Sequence, residues 1–344
     1  MTFKKQYNHK RWFWPVMFLA FVGTFIGDLL TGSAGISVSE IWKVLTGGEV
    51  SPETRTIILD IRLSKAMVAI LAGAAISVSG LLMQTLFRNP LAGPYVLGVS
   101  SGASLGAALY VLGAAGLGFS TAGASGIGEV FSSLGLAGAA WIGCALMLGL
   151  VSLASRRLKD IMIVLILGMM LSSGIDAIVQ VLQYFSDEAS LKSYVVWTMG
   201  SLSTVSPVQL ALLCISVLVG ILLSILSIKP LNLLLLGETQ ASSMGLNVNR
   251  SRNMIYAATI LLAGSVTAFC GPLGFIGLAV PHLTRFILQE ADHRQLVPAT
   301  MLTGAVLMLC CDMVAKATAL PVNVMTSLIG IPVVIWIALK HRSL

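Results

Sequence analysis

The sequence predicts an all-α polytopic membrane protein with about ten transmembrane helices. Three observations carry that expectation. The 344-residue chain is 56% hydrophobic and 10% charged, whereas a soluble domain carries about 25% charged residues. Apolar runs long enough to cross a bilayer recur from end to end. The basic residues gather in breaks between those runs, as topology-setting charges do. The first observation excludes a globular enzyme with a solvated surface. The third sets aside nucleic acid, because the net charge of +7 forms no basic stripe interleaved with aromatics. Residues 1–344 are expected to form a single transmembrane domain in contact with lipid.

In chain order, Lys4, Lys5, Lys10 and Arg11 precede a run over 12–30. That run exceeds the ~7–15 apolar residues of a signal core, so it is expected to be a retained first span with 1–11 as a cytoplasmic tail. Residues 33–60 form a mixed-charge outer segment, in which Ile41, Trp42, Val44 and Leu45 suggest a short surface helix. Spans follow at 63–86 and 95–114, then a Gly/Ser/Ala-rich outer loop over 113–135. Further spans are expected at 134–154 and 161–183. The interval 186–207, holding WTMGSLST, is too short to cross and suits a helix lying at the outer mouth. The run 207–228 leads into the largest inner interval, 229–252, and spans at 254–271, 275–289, 296–315 and 322–339 complete the chain. The run 275–289 is short and expected to be tilted or incomplete. An even count puts both termini on one side. Of the 21 Lys and Arg, this arrangement places fifteen inside and six outside, in the sense of the positive-inside rule.

Residues 88–106, RNPLAGPYVLGVSSGASLG, interrupt the pattern. Pro90 and Pro94 break a helix, and within a bilayer such a break needs protein or a water-filled cavity to receive its freed polar groups. Gly98, Gly102 and Gly106 share one helix face and let another backbone approach closely. Together they describe a constriction with tightly packed walls.

No GxxxxGK[ST] phosphate cradle, nucleophile elbow or HExxH motif is present, so energy must come from an ion gradient or another subunit. The five cysteines lie within apolar runs without CxxC spacing, and the four histidines lack ligand spacing. No metal or cofactor is expected. Asp176 stands mid-span with Gln180 one turn on, either as a pathway-lining pair or as a protonated or interhelically bonded acid. Asp312 and Lys316 are an i, i+4 pair near the outer end of their span. In LGETQASSMGLNV, Gly237 and Gly245 bound a short helix, with Glu238 near its start and Ala241, Met244 and Leu246 on an apolar face. That suits either a docking element for a cytosolic partner or an ordinary amphipathic surface helix.

The blocks IRLSK, RNPLAGPYVLGVSSGASLG, WTMGSLS, LNLLLLGETQASSMGLNV, GPLGFIGLAVPHLTR, DHRQLVP and LPVNVMTSLIGIPVVIW, in this order, resemble the FecCD family of ABC importer membrane subunits for iron–siderophore, haem and cobalamin. The resemblance runs from about Ile61 to the C-terminus. It implies a homodimeric type II ABC importer permease with two cytosolic ATPase subunits and an external substrate-binding protein. It implies that the chain is not itself an enzyme, ATP hydrolysis residing in the separate subunit. On the resemblance, 237–249 docks the ATPase through Gly237, Glu238, Ala241, Met244, Gly245 and Leu246. Arg62, Lys65 and Lys316 meet the binding protein; the family often reads RLPR where this chain has RLSK. Asn89, Pro90 and Leu91 form the inner gate. The helix at 195–203, with Trp197, Met199 and Ser201, lines the pathway. Asp176 lies outside that pattern and remains a candidate pathway residue by position alone. The implied cargo is an iron chelate (siderophore or haem), with cobalamin as the alternative. The implied location is the bacterial inner membrane with both termini cytoplasmic. Two other classes stay open on the residues: an ion-coupled secondary transporter using Asp176 or Asp312, and a channel or structural membrane protein.

Overall fold

In apolar surroundings every backbone N–H and C=O must find a partner within the chain, so long apolar runs fold as helices. The computed structural model describes residues 2–32, 34–113, 127–158 and 161–340, and every regular element among them is helical. In chain order these are α1 (Thr2–Leu30), α2 (Val38–Thr46), α3 (Pro52–Leu86), α4 (Val99–Gly113), α5 (Ile127–Arg157), α6 (Ile161–Tyr184) and α7 (Glu188–Thr198). They continue with α8 (Pro207–Leu226), α9 (Ile228–Leu234), α10 (Glu238–Ser243), α11 (Val248–Cys270), α12 (Ile276–Leu288), α13 (His293–Thr318) and α14 (Val322–Lys340). By length and composition seven can cross a membrane, namely α1, α3, α5, α6, α8, α11 and α13. Each of the ten expected runs corresponds to a helix, yet α4, α12 and the Val322–Trp336 part of α14 are shorter. The 13 residues of α12 rise only about 20 Å at ~1.5 Å per residue, against a hydrocarbon core of about 30 Å.

Helix α3 is the axis of the packing. Its apolar window is 83% buried, whereas those of α6 and α8 are only 22% and 28% buried. Around it pack α13, α12, α8 and α11. Side-chain-free positions make that approach possible: Gly73 lies against the backbone of Gly304, and Gly80 against the carbonyl of Gly277, so a Cβ at either would overlap main chain. The glycine face expected on α4 behaves in the same way, Gly102 and Gly106 receiving the backbone of α5 at Gly143 and Ala139.

The short outer helix forms as expected. Ser37 and Glu40 close a capping box at its start, and Gly47 at φ +80° ends it. Ile41 and Val44 are buried while Trp42 is exposed; the Leu45 side chain lies outside the described residues, as do those of Lys4, Lys5, Lys10 and Arg11.

Four boundaries differ from expectation. Helix α1 already begins at Thr2, so residues 2–11 of the expected tail are part of the first helix. Helix α3 begins at Pro52 and carries Asp60 and Arg62 through a π-helical stretch, Ile57–Leu63, ahead of the expected span at 63–86. Residues 127–135, expected as loop, open α5; a glycine costs a helix only about 1 kcal/mol, less than unbonded backbone beside lipid. The rest of that loop, 114–126, lies outside the described residues. Helix α7 stops at Thr198 because Gly200 takes φ +72°, which puts Ser201 and Ser203 in the following turn.

Candidate gate, coupling segment and outer cluster

The gate turn grows from the buried end of α3. Arg88 takes φ +47° and ends the helical path. Asn89 then organises the turn: its Oδ1 accepts from Leu91 N at 2.9 Å and its carbonyl from Ala92 N at 3.1 Å, an Asx turn with proline between. Pro90 O is held 2.7 Å from His282 Nε2 on α12. Leu91 is left 52% exposed.

The inner segment 237–249 opens at Gly237 (φ +106°), forms α10, and turns at Gly245 (φ +87°). Ala241 is fully buried, Leu246 is half-buried and Met244 is 61% exposed. The apolar face expected from these three is therefore divided. Met244 has left helical geometry at the C-cap, so it projects away while Ala241 packs inward. Glu238 pairs with Arg252 of α11. Arg252 is 5% exposed and also donates from Nη1 to Ser155 O at 3.2 Å and Ser155 Oγ at 3.3 Å. One guanidinium thus pins the short helix to the ends of both α5 and α11.

The three outer cations expected to meet a binding protein are turned inward. Arg62 is 5% exposed and donates to Leu29 O at 2.7 Å, to Leu30 O at 3.2 Å and to Ala34 O. It satisfies the last carbonyls of α1, where a cation also suits the helix dipole. Lys65 Nζ lies 3.0 Å from Asp312 Oδ1, and Lys316 Nζ lies 2.9 Å from both Asp312 Oδ2 and Asp28 Oδ1. Both aspartates are fully buried, and a buried carboxylate requires a paired cation. The Asp312–Lys316 pair is consequently one edge of a four-group cluster joining α1, α3 and α13. Lys65 and Lys316 keep partial access through a cavity of about 270 Å³ that Ser201 and Ser203 also line. Arg62 does not line it and is buried against α1.

The pathway candidates separate. Trp197 and Ser201 border a second outer cavity of about 260 Å³, with Thr204, Gln209 and Phe269. Ser201 N donates to Cys270 O at 2.8 Å, fixing the turn after α7 to the end of α11. Met199 is 46% exposed and Asp176 is exposed on α6 beside exposed Gln180; neither lines that cavity. Asp176 makes no hydrogen bond or ion pair among the described residues, and Tyr194 of α7 is within its electrostatic reach.

The pattern of the FecCD transport family matches residues 19–340. The chain belongs to the FecCD transport family. This FecCD chain is 33% identical to the hemin transport system permease protein of Yersinia pestis over 335 residues, covering 96% of this chain and 97% of that protein. It is 36% identical to the vitamin B12 import system permease protein of Escherichia coli (91% and 92% covered) and 35% identical to the molybdate import system permease protein of Haemophilus influenzae (91% of each). A solved inward-facing transporter of the metal-chelate ABC type superposes with a TM-score of 0.79 at 32% identity, over 94% of this chain and 97% of that one. The chain is a permease of the ABC importer class.

Sequence reasoning overlooked three residues of this FecCD permease: Asp28, Arg252 and Ser155. Asp28 had a signal, because an acid in the last turn of an apolar run costs about 2.5–3.5 kcal/mol on insertion and needs a partner. Arg252 was counted only as a topological charge, and nothing local marks Ser155 as its acceptor.

Proposed function

We propose that this FecCD permease works as a homodimer in the bacterial inner membrane, with both termini cytoplasmic. Two cytosolic ATPase subunits grip 237–249, and an external binding protein delivers cargo. The observation that carries the reading is Met244, standing exposed just past the end of a six-residue helix that Arg252 tethers through Glu238. A protruding apolar side chain beside a braced helix fits the groove of a partner. Movement of that segment opens the 89–91 turn, and the exposed faces of α6 and α8 supply the apolar surface for lipid and the second copy.

The binding protein is proposed to contact Lys65 and Lys316 at the outer cavity; long-range charge there speeds encounter more than it deepens affinity. The proposed cargo is an iron chelate, siderophore or haem, with cobalamin as the alternative. Relatives named for hemin, vitamin B12 and a metal chelate support that proposal, beside one named for molybdate. An ion-coupled mechanism is less favoured, since Asp312 is already paired with lysines and Asp176 is exposed on α6 rather than buried in a site. The test is uptake of haemin, a ferric siderophore and cobalamin into liposomes holding the permease with its ATPase and binding protein. ATP-dependent accumulation of one of the chelates is expected. Gradient-driven accumulation by the permease alone overturns the reading.

A further inference from the structure

We infer that His293 is the positioning residue through which movement of 237–249 reaches the 89–91 turn. The inference rests on the reading of 237–249 as the ATPase grip and names the side chains that carry its displacement.

The line begins on α9, the helix leading into the coupling segment. Asn232 Oδ1 accepts from His293 N at 3.0 Å, and its Nδ2 donates to Asp292 Oδ1 at 2.6 Å, which fixes the amide orientation. His293 Nδ1 lies 2.7 Å from the same Oδ1. That oxygen can only accept, so Nδ1 carries the proton, and Nε2 of the neutral ring is left as an acceptor. Thr85 Oγ1, on α3 just before the gate turn, sits 2.8 Å from Nε2. Arg285 closes the line from α12, donating to Gln84 Oε1 at 2.8 Å and to Thr85 Oγ1 at 3.4 Å.

The far end holds the gate. Gln84 O accepts from Asn89 N at 3.2 Å, and His282, one turn before Arg285, holds Pro90 O. Gln84, Thr85 and His293 are 3%, 2% and 0% exposed, so water has little access to replace a broken bond.

Thr85 has one hydroxyl proton and two acceptors, His293 Nε2 and Leu81 O at 2.9 Å. The hydroxyl can therefore release His293 without being left unsatisfied. Two discrete arrangements of one buried group, the second leaving His293 Nε2 without its donor, are what a coupling element requires. Withdrawal of α9 with the coupling segment would pull His293 from Thr85 and free the end of α3.

The test uses the complete importer in liposomes, with whichever of haemin, a ferric siderophore or cobalamin the wild type imports as probe. Retained ATPase subunit, ATP hydrolysed and cargo delivered per ATP are measured together. Thr85→Val is expected to keep the ATPase bound while cargo per ATP falls about two- to thirtyfold, and Thr85→Ser to restore it. His293→Asn, which keeps a donor for Asn232 but does not reach Thr85, should match Thr85→Val, and the double variant should be no worse than either alone. Unchanged cargo per ATP in both single variants overturns the inference. So does loss of assembly in both, which assigns the network a purely structural role. A wild-type complex that retains no ATPase refutes the grip reading instead and is recognised before any variant is compared.

Discussion

Lys316 Nζ, near the outer end of α13, lies 2.9 Å from Asp28 Oδ1, near the end of α1. The two residues are 288 positions apart in sequence, and with Asp312 and Lys65 they neutralise one another inside the protein. Arg62 fastens the same end of α1 from α3. Three helices are thereby joined by charge as well as by apolar contact, Leu29 of α1 and Ile58 of α3 being buried in the apolar core.

Removing the shared cation should be costly. Lys316→Met leaves two buried carboxylates with one lysine, and is expected to destabilise the protein by about 3–5 kcal/mol. Adding Asp28→Asn should recover part of that loss. Thermal unfolding of the purified permease in detergent checks both, and an unchanged Tm in Lys316→Met rules out the cluster as drawn.

Arg62 and Lys65 should part company. Lys65→Gln, which leaves Lys316 between the two aspartates, is expected to slow association of the binding protein severalfold at low salt, with the difference shrinking as salt rises. Arg62→Gln should leave that rate intact and instead lower stability by about 1.5–3 kcal/mol, since it removes charged donors from buried carbonyls. Stopped-flow binding and thermal unfolding separate the two; equal effects on docking would restore Arg62 to the outer surface.

At the inner segment, Met244→Asp should uncouple ATP hydrolysis from uptake while leaving the fold unchanged, because the side chain is exposed. Arg252→Met should act differently, raising hydrogen exchange over 237–249 by freeing Glu238 and Ser155. Full uptake by Met244→Asp argues against the grip. Unaltered exchange in Arg252→Met argues against the tether.

Asp292, the N-cap of α13, gives a pH-dependent prediction. Its carboxyl is held below the usual value, first by the Arg294 backbone N–H and then by the Asn232 side chain. A depressed folded pKa means that its contribution is fully present above about 3.9, the unfolded value, and is lost as pH falls through the folded pKa. Asp292→Asn keeps a capping side chain without that titration. The Tm advantage of wild type over this variant should therefore hold at pH 5 and shrink towards pH 3. A constant difference would show that the carboxylate does not titrate in this way.

Much of the fold could be read from residue type and spacing alone. The glycines of α4, the Ser37–Glu40 start of α2 and the proline-broken turn at 89–91 each announce their local geometry, because backbone conformation is decided over a few neighbouring residues. The site was less legible. Ala241, Met244 and Leu246 look like one face on a helical wheel, but the helix ends before Met244 and sends it the other way. Arg62 and Lys65 look like surface charges beside an apolar run, yet the π-helical stretch lies within α3 and Arg62 turns onto α1.

The sequence by itself determined that this protein is a bundle of apolar helices, where its chain breaks, and to which family it is similar, because desolvation of the backbone and side-chain spacing act locally. Only the tertiary structure decided which charges cancel. A lysine paired with an aspartate 288 positions away and an arginine capping a distant helix depend on approach in space, and burial then makes each such pairing obligatory.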